Sequence, residues 1–465
     1  MPGQIIVSQP RSWQKSMRFD DLESARVAIL GTGREGQAVW RQIRRRFPGK
    51  KLSLYAESAG DEGFIQRLNP AVDVFHHGPF EVNRLKQYEV LVRSAGISPY
   101  RRELQQLRSL GVRFTTACNL WFAENPDATT ICISGTKGKS TTAALTAHLL
   151  ERAGVKTCLA GNIGKPMLDC ESAAVDCWVI ELSSYQIADL EAEPDIAVIL
   201  NLSDEHIDWH SGADRYRADK LRLAELVKGG SLIANHADPV LTASLAEFDG
   251  VIWFNHADGW QSGRGGVSGD GKDFVAAPAS LPGRHNTHNL AAVLTLVDQL
   301  GLKIPDLKQA LSSFYGLPHR LQLIGEKSGV RYIDDSISTT PVSVVAALQT
   351  FGCDGVVLLL GGMDRGLDWS TFATGLAGSP PYAIITLPDN GIKIFDCLKK
   401  AGVRPKGGLH TAERLSKAVN LAQAMVPDGG CILLSPGAPS FPHFRDFEDR
   451  GEKFAKYAGI GQISA

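Results

Sequence analysis

The chain has 465 residues, too long for one hydrophobic core, and a guide of roughly 150 residues per domain predicts about three domains. Its 49 basic and 50 acidic residues nearly balance, so the formal net charge of -1 gives no general attraction to nucleic acid or anionic lipid. A composition that is 43% apolar and 21% charged excludes a disordered or coiled-coil chain.

The sequence shows no pattern of export or membrane insertion. Its first twenty residues contain no apolar signal core, and no apolar run approaches the ~20 residues that cross a bilayer. The eight cysteines are far apart, without a Cys-x-x-Cys pair, and several (Cys132, Cys177, Cys431) lie in apolar strand-like segments. We predict a cytoplasmic protein with buried free thiols, no nucleic-acid partner and no membrane insertion.

From residue 26 onward, short apolar segments that end in glycine-rich turns alternate with amphipathic helical segments, the pattern of a parallel α/β fold. The predicted first strand, 26–30, runs into Gly31-Thr32-Gly33-Arg34-Glu35-Gly36, a G-x-G-x-x-G turn whose free backbone N–H groups could hold phosphate. A second strand and small-residue loop occupy 90–97. Together the two loops indicate a site for an anionic, nucleotide-like group, and a tight turn without a ligand is the alternative for the first.

Two stretches interrupt this alternation. Glu124-Asn125-Pro126-Asp127-Ala128 precedes a new strand, and Gly316-Leu317-Pro318 follows a helical segment. We therefore predict domains at 1–125, 126–317 and 318–465. In the last domain we predict strands at 330–333, 356–360, 383–387 and 431–434, and helices at 341–350, 412–425 and 447–458.

The strongest local signal is a strand, a glycine-rich loop and a helix in succession. The strand 129–134 leads into Gly135-Thr136-Lys137-Gly138-Lys139-Ser140-Thr141-Thr142, and the helix follows at 143–152. Backbone N–H groups and one ammonium would surround a polyphosphate, with Lys139 against the β- and γ-phosphates and a hydroxyl on Mg²⁺. Ile133 stands where the standard loop has its first glycine. We predict ATP binding to this variant loop.

Two later strands also end in groups that suit a divalent metal. The strand at 178–181 delivers the carboxylate of Glu181 at its end, where α/β sheets present ligands. The strand 195–200 precedes a polar loop that contains His206. Hard oxygens and an imidazole at strand ends favour a metal that holds two substrates together. A helix cap at Glu181 and a structural His206 are the alternatives.

Seven motifs follow one another along the chain. They are Gly135-Thr136-x-Gly138-Lys139-Ser140-Thr141, Gly161-Asn162-Ile163-Gly164, Glu181-Leu182-Ser183-Ser184, Asn201 with His206 and Asp208, Lys220-Leu221-Arg222, His285-Asn286-x-x-Asn289 and Pro318-His319-Arg320. In this order they resemble the Mur ligase family of peptidoglycan synthesis, and closely resemble its branch that adds glutamate to UDP-N-acetylmuramoyl-L-alanine. The resemblance extends over about residues 26–460.

The resemblance implies three α/β domains: an N-terminal Rossmann-like domain for the UDP-sugar, a central P-loop ATPase with a parallel sheet, and a C-terminal Rossmann-like domain for the amino acid. It implies catalytic roles for Lys139, His206 and Lys220, with Lys220 carbamylated so that it ligates a second Mg²⁺. Without the resemblance, a surface helix lysine is the simpler interpretation of Lys220. The implied reaction activates the alanyl carboxylate as an acyl phosphate, which the amino group of glutamate then attacks.

The remaining site residues are assigned by the same resemblance. UDP-sugar binding is expected of Arg34, Glu35, Ser94, Gly96 and Asn162. ATP binding is expected of Gly135, Thr136, Lys137, Gly138, Lys139, Ser140, Thr141, Asn286, Asn289, Arg320 and Asp335, with His319 beside them. Mg²⁺ is expected on Ser140, Glu181, His206 and Lys220, and glutamate on Arg365, Ser440 and Phe441. The expected partners are ATP, UDP-N-acetylmuramoyl-L-alanine and glutamate, and the expected state is a monomer.

The acceptor end departs from the pattern of D-glutamate-adding enzymes. Ile337 stands where a lysine is usual, Arg365 replaces a common lysine, and the loop 435–442 carries extra prolines. An arginine grips a carboxylate with two parallel hydrogen bonds, which a lysine cannot do. The sequence therefore resembles the variant branch that adds L-glutamate. D-glutamate, with neutral drift at these positions, is the alternative.

Three other functions stay open at this point. A folylpolyglutamate-synthase-like ligase shares the phosphate loop, but the 31–36 turn favours a UDP-sugar over a pteridine acceptor. A non-enzymatic ATP-binding regulator would have no reason to carry Glu181, His206 and Lys220. A dehydrogenase is supported by the 31–36 turn alone.

Overall fold

The computed structural model of the chain describes residues 16–57, 62–170, 175–269 and 271–460. These residues form two compact units: the first contains the chain up to Ala276 and Arg284–Leu311, and the second contains Ala277–Gly283 and the chain from Ser312 onward. The first unit holds two parallel sheets and a small antiparallel one, and the second holds a mostly parallel sheet. The predicted α/β class is confirmed, and the domain boundaries at 125/126 and 317/318 stay predictions.

The first unit contains most of the helices and strands. Its helices are α1 (Asp20–Glu23), α2 (Arg34–Arg46), α3 (Glu62–Ile65), α4 (Val82–Leu85), α5 (Arg102–Ser109), α6 (Ala117–Glu124), α7 (Lys139–Arg152), α8 (Ser184–Ile187), α9 (Ile207–His210), α10 (Ala213–Leu226), α11 (Pro239–Ser244), α12 (Arg284–Gln299) and α13 (Leu307–Ser312), with a 3-10 helix at Met167–Asp169. Its strands are β1 (Val27–Leu30), β2 (Leu52–Ala56), β3 (Asp73–His77), β4 (Val90–Arg93), β5 (Arg113–Thr116), β6 (Thr130–Ser134), β7 (Thr157–Gly161), β8 (Cys177–Glu181), β9 (Ile196–Ile199), β10 (Ser231–Asn235), β11 (Ile252–Phe254), β12 (Gln261–Gly263), β13 (Gly266–Gly269) and β14 (Lys272–Ala276).

The second unit alternates strands and helices around one sheet. The strands are β15 (Gln322–Lys327), β16 (Val330–Asp334), β17 (Val356–Leu360), β18 (Ala383–Thr386), β19 (Leu409–Thr411) and β20 (Cys431–Leu434). The helices are α14 (Pro341–Phe351), α15 (Ser370–Leu376), α16 (Gly391–Lys400), α17 (Leu415–Met425) and α18 (Phe447–Ala458).

The N-terminal sheet has the strand order β3-β2-β1-β4-β5, and its pairings are parallel. Along β1, Val27 and Ile29 pack in one apolar core while Ala28 and Leu30 pack in another, so both faces of the sheet are covered. The strand order reverses direction between β1 and β4. Loops that follow strands at such a reversal form the crevice in which α/β proteins hold ligands.

The central sheet has the order β11-β10-β9-β6-β8-β7, again parallel. β6 lies between β9 and β8, with Ile133 opposite Glu181 and Ser134 opposite Ile199. The glycine-rich loop after β6 and the two polar segments after β8 and β9 therefore leave the same edge of one sheet, as parallel strands require.

The sheet of the second unit has the order β15-β16-β20-β17-β18-β19, with β15 as an antiparallel edge strand. β20, the last strand in sequence, lies between β16 and β17. The ends of β16 and β20 are consequently adjacent, and the backbone N–H of Asp335 donates to the carbonyl oxygen of Leu434 at 2.8 Å.

Most predicted elements agree with the structure to within a few residues, and β17, β20 and α18 have the predicted bounds. α7 begins at Lys139 rather than at residue 143 because the end of the glycine-rich loop forms the first helical turn. The eight cysteines are free, and the strand cysteines Cys132, Cys177 and Cys431 are buried as predicted. Four others (Cys158, Cys170, Cys353 and Cys397) are partly exposed, so the prediction of burial was wrong for them. Within the described ranges, no helix combines the length and apolarity needed to cross a bilayer.

Candidate active site

The glycine-rich loop owes its shape to two glycines with positive φ angles. Gly135 has φ of 152° and Gly138 has φ of 87°, conformations that L side chains rarely adopt. A Cβ on Gly138 would lie 2.4 Å from Oδ1 of Asn289, on α12. A side chain at Gly138 would therefore be strained and would displace Asn289. The backbone of the loop turns directly into α7, whose N-terminus favours an anion.

Two lysines converge on this loop. Nζ of Lys139 lies 3.0 Å from the carbonyl oxygens of Gly135 and Thr136. Nζ of Lys220, on α10, donates to the carbonyl oxygen of Gly135 at 2.9 Å. Lys220 is 2% exposed, and burial, followed by the charge of Lys139, lowers its pKa well below the ordinary value. Lys220 is thus a buried amine beside the predicted phosphate site and not a surface helix lysine.

The loop after β9 holds the glycine-rich loop in place. Oδ1 of Asn201 accepts from the backbone N–H of Lys137 at 2.8 Å, and its amide nitrogen donates to the carbonyl oxygen of Lys137 at 2.9 Å. The hydroxyl of Thr136 donates to the carbonyl oxygen of Ser203 at 3.0 Å and lies 2.7 Å from the hydroxyl of Tyr216, on α10. These contacts fix the loop before any nucleotide binds.

Glu181 lies at the end of β8 and is 1% exposed. Its Oε1 accepts from the side-chain amide of Asn162 at 2.8 Å, while its buried Oε2 has no hydrogen-bond partner in the protein. A buried carboxylate oxygen without a donor is costly unless a cation or another ligand satisfies it. The geometry of Glu181 therefore fits the predicted Mg²⁺ site.

His206 precedes α9 in a left-handed conformation, with φ of 56°. Its side chain is half-exposed; burial of the rest lowers its pKa, and the charge of Glu205 opposes that shift. A neutral imidazole is the form that ligates metals. Among the residues that the structure describes, no group of three or more His, Cys, Asp and Glu side chains is arranged around a metal position. Of the four predicted metal ligands, only Glu181 and His206 are of these residue types. The other two are the hydroxyl of Ser140 and a carbamylated Lys220.

Asn286 and Asn289 lie near the N-terminus of α12 and are 5% and 4% exposed. The side-chain amide of Asn289 donates to Oδ1 of Asn286 at 3.0 Å. Because Asn289 also contacts Gly138, the structure brings this predicted ATP-binding residue against the glycine-rich loop.

A cavity of about 640 Å³ opens between the loops after β1, β4, β7 and β8. The predicted UDP-sugar residues line it together: Arg34, Glu35, Ser94, Gly96 and Asn162. The G-x-G-x-x-G turn at its edge is closely packed, because a Cβ on Gly36 would lie 2.0 Å from the carbonyl oxygen of Gly31. Gly33 has open space around its Cα, where a ligand could approach the backbone.

Glu35 braces this cavity. Its Oε2 accepts from the backbone N–H of Ala95 at 2.9 Å, and its Oε1 accepts from the side-chain amide of Gln186 at 2.7 Å. Arg34 donates to the carbonyl oxygen of Gly164 at 3.3 Å. The N-terminal and central sheets thus contribute to one cavity.

Sequence reasoning missed one wall of the cavity. Glu57 follows β2 and pairs with Arg101 through two hydrogen bonds of 2.7 and 2.8 Å. The guanidinium of Arg101 lies 5.0 Å from the ring centroid of Phe80. An acidic residue after the second strand of a nucleotide-binding βαβ unit is a recognised sequence signal and could have identified Glu57.

The other predicted site residues lie in the second unit. Asp335 is 4% exposed and accepts from the hydroxyl of Ser435 at 2.7 Å and the backbone N–H of Leu321 at 3.2 Å. Burial raises the pKa of Asp335 to about 6, although these donors oppose the shift. Burial alone would lower the pKa of His319, but its hydrogen bond and charge interaction with Asp334 raise it.

The predicted glutamate residues differ in exposure. Arg365 and Phe441 are exposed, whereas Ser440 is 5% exposed. Sequence reasoning did not identify Arg450, a guanidinium that is 1% exposed and donates to the carbonyl oxygens of Ser336 and Ala438 at 2.7 and 3.0 Å. Arg450 therefore joins the loop that contains Ile337 to the loop that contains Ser440.

Comparison with known proteins decides the family. The model of the Mur ligase middle domain matches residues 133–297. Over 459 residues the chain is 42% identical to the UDP-N-acetylmuramoyl-L-alanine–L-glutamate ligase of Xanthomonas oryzae, with 96% of this chain and 97% of that protein covered. The chain belongs to the Mur ligase family. This Mur ligase is also 41% and 36% identical to proteins of the same name from Xylella fastidiosa and Salinispora tropica, with 96% and 95% of this chain and 97% and 98% of those proteins covered.

Solved structures of other Mur ligases share the fold of this Mur ligase. UDP-N-acetylmuramate-alanine ligase from Thermotoga maritima has a TM-score of 0.59 at 19% identity, with 93% of this chain and 98% of that chain covered. The MurF ligase of the same organism, in complex with ADP, has a TM-score of 0.58 at 15% identity, with 93% of each chain covered. At 19% and 15% identity, these comparisons show a shared fold only.

Proposed function

We propose that this Mur ligase joins L-glutamate to UDP-N-acetylmuramoyl-L-alanine in peptidoglycan precursor synthesis, with conversion of ATP to ADP and phosphate. The observation that carries the proposal is 41–43% identity, over 96% of the chain, to proteins named for this reaction. A shared fold does not identify which of a family's substrates a member uses, so the proposal rests on sequence identity. The same identity argues against the folate ligase, the non-enzymatic regulator and the dehydrogenase. A monomeric state and a cytoplasmic location belong to the proposal.

The reaction begins with the alanyl carboxylate of the UDP-sugar as nucleophile. Its oxygen attacks the γ-phosphorus of ATP, ADP leaves, and an acyl phosphate forms. The ammonium of Lys139 and the N–H groups at the start of α7 offset the charge that would otherwise repel the nucleophile. The amino nitrogen of L-glutamate then attacks the acyl carbon, expels phosphate and loses a proton, which leaves the amide.

The residues around the phosphate loop fit a metal site. Bound Mg²⁺ would supply charge neutralisation between the carboxylate and the phosphates. Ser140, Glu181 and His206 would hold it, with the unpaired Oε2 of Glu181 as the buried ligand. The lowered pKa of Lys220 increases its neutral fraction, and a neutral amine adds to CO₂ with release of a proton. The resulting carbamate is an anion that can ligate a second cation.

Each substrate is assigned to its own group of residues. The 640 Å³ cavity is proposed to hold the UDP-sugar. The proposed ATP-binding residues are 135–141, Asn286, Asn289, Arg320 and Asp335, and the proposed glutamate-binding residues are Arg365, Ser440 and Phe441. Ile337, where D-glutamate-adding enzymes usually have a lysine, is proposed to contribute to the preference for the L enantiomer.

The test is phosphate release by the purified protein with ATP, Mg²⁺ and UDP-N-acetylmuramoyl-L-alanine, with L-glutamate and D-glutamate compared side by side. We expect release, and the ligated product by mass spectrometry, with L-glutamate. Release with D-glutamate alone would support the proposed ligase reaction but contradict the proposed preference for L-glutamate. Release with neither amino acid would reject the proposed reaction.

A further inference from the structure

Four side chains of the first unit form one continuous chain of hydrogen bonds. The hydroxyl of Tyr100 donates to Oδ1 of Asp219 at 2.5 Å, and Oδ2 of Asp219 lies 2.6 Å from Nδ1 of His210. Nε2 of His210 lies 3.0 Å from the hydroxyl oxygen of Ser184. A carboxylate accepts hydrogen bonds, so Nδ1 of His210 donates to Asp219, and Nε2 of His210 pairs with the hydroxyl of Ser184. Ser184, His210 and Asp219 are 4%, 0% and 7% exposed.

Three of these residues lie close in sequence to the proposed metal ligands. The pairs are Ser184 with Glu181, His210 with His206, and Asp219 with Lys220. The three segments come from different parts of the chain: the first runs from the end of β8 to the start of α8, the second from His206 through α9, and the third lies in the middle of α10. A ligand set of this kind must be held at fixed separations before the metal binds, because reorganisation would weaken binding.

A hydrolase is the other interpretation of this geometry, because a serine, a histidine and an aspartate hydrogen-bonded in this order form a nucleophilic triad in other proteins. Ser184 is nearly fully buried, and the cavity is lined by its neighbours Ser183 and Tyr185 instead. A nucleophile that no substrate reaches has no reaction to perform. The observations therefore favour a positioning role.

The chain of hydrogen bonds also reaches the cavity. Tyr100 ends the segment 94–100, whose first residues line the cavity. The hydroxyl of Ser98 donates to the carbonyl oxygen of Trp209 at 2.6 Å, and the indole N–H of Trp209 donates to the carbonyl oxygen of Gly96 at 3.0 Å. The segment that contains His206 and Trp209 is thus attached to the wall of the cavity that contains Gly96.

We propose that Asp219 and His210 are positioning residues that hold Glu181, His206 and Lys220 in the arrangement that binds the metal–nucleotide complex. This inference deepens the proposed function and rests on its assignment of the metal ligands. Neither Asp219 nor His210 touches metal or substrate. They act by joining the three ligand-bearing segments through one buried carboxylate and one buried imidazole.

The test uses the full chain with Asp219→Asn. The asparagine amide oxygen can accept from His210 while its NH₂ group donates to the hydroxyl oxygen of Tyr100. Size and both contacts are retained, the charge is lost, and the donor in the Tyr100 contact is reversed. Asp214→Asn is the matched control, because Asp214 lies on the same helix with a fully exposed side chain. Mn²⁺ binding with a non-hydrolysable ATP analogue is measured by electron paramagnetic resonance, and kcat and KM for ATP are measured over a range of Mg²⁺ concentrations.

We expect Asp219→Asn to raise the half-saturating Mn²⁺ concentration about tenfold, the lower end of the effect of residues that orient metal ligands. The KM for the UDP-sugar and the values for Asp214→Asn should stay within about twofold of wild type. Tyr100→Phe removes only the hydroxyl that donates to Asp219, so it should raise the half-saturating Mn²⁺ concentration less, by about threefold. This variant tests the inference if Asp219→Asn does not fold. Unchanged Mn²⁺ binding in Asp219→Asn, or in Tyr100→Phe if that variant alone folds, would overturn the inference.

The binding measurement separates this inference from the proposed function. If wild type binds Mn²⁺ with the ATP analogue and Asp219→Asn binds it weakly, the inference stands even when no glutamate enantiomer supports phosphate release. If wild type makes the L-glutamate product and Asp219→Asn binds Mn²⁺ as wild type does, the proposed function stands and the inference fails.

Discussion

Nζ of Lys220 lies 2.9 Å from the carbonyl oxygen of Gly135, so a lysine on α10 contacts the glycine loop that follows β6. The contact spans 85 positions of the chain and brings two proposed catalytic elements together. Lys139 contacts the same carbonyl oxygen at 3.0 Å. The two amino groups share one acceptor, so the positive charge of Lys139 lies close to Lys220 and, after burial, is the next cause that lowers the pKa of Lys220.

Lys139→Ala should abolish ATP turnover while the fold survives. The loss should be at least about 10²-fold in kcat, as for other groups that stabilise transition-state charge. Lys156→Ala is the matched control, because Lys156 is an exposed lysine just after α7 and outside the glycine-rich loop. Phosphate release and thermal unfolding followed by circular dichroism measure the two properties. Retained turnover in Lys139→Ala would show that the phosphate loop is misassigned.

Gly138→Ala should raise the KM for ATP by about tenfold or more, because a positive-φ strain of about 1–3 kcal/mol adds to a clash with Asn289. Gly154→Ala is the control for strain alone. Gly154 follows α7 with φ of 86°, close to the 87° of Gly138, and has open space around its Cα. The two variants should lose comparable free energy of unfolding, and only Gly138→Ala should raise the KM for ATP. An equal rise in the KM for ATP in both variants would show that the clash with Asn289 does not cause the effect.

Lys220→Ala should lose activity and regain part of it with formate or acetate. A short carboxylate can occupy the space of the missing carbamate and supply the anion that the second cation needs. Lys228→Ala, an exposed lysine just after α10, should retain activity and gain nothing from added carboxylate. Rates are compared with and without the salt at constant ionic strength. Absence of any rescue would weaken the proposed carbamate.

Arg365→Lys should raise the KM for L-glutamate about tenfold, the effect of losing roughly 1.4 kcal/mol of two-pronged carboxylate binding. The KM for ATP should not change. Arg365 is exposed, so folding should be unaffected, and Arg404→Lys, at another exposed arginine of the second unit, provides the comparison. A KM for L-glutamate equal to that of wild type would exclude Arg365 from acceptor binding.

Asp335→Asn should stabilise the protein more at pH 8 than at pH 5. The pKa of Asp335 in the folded protein is raised to about 6 from 3.8, so its contribution to stability is full below pH 4 and is lost as pH rises through 6. The asparagine does not ionise, and its advantage in unfolding free energy over wild type should grow by about 1 kcal/mol between pH 5 and pH 8. Chemical denaturation of both proteins at the two pH values measures it. A difference that is independent of pH would contradict the raised pKa.

The sequence pattern predicted the fold class and the placement of Lys139 and Glu181 near strand ends because both depend on local signals. Glycines that precede a helix and a carboxylate that ends an apolar strand are readable from a few neighbouring residues, and parallel pairing then brings Lys139 and Glu181 to one sheet edge. Contacts between distant segments carried no such signal. Tyr100 and Asp219 are 119 positions apart, and Arg450 meets Ser336 across 114. Only the packed structure identifies these pairs.

The segment Ala277–Gly283 belongs to the second unit although the residues on both sides of it belong to the first. The hydroxyl of Ser280 donates to the carbonyl oxygen of Phe314, near the start of the longer part of that unit. During synthesis on the ribosome, this segment emerges before the rest of its unit exists. The second unit therefore completes its folding around a piece of chain that was made together with the first, and no single continuous fragment of the gene that begins after residue 311 encodes all of it.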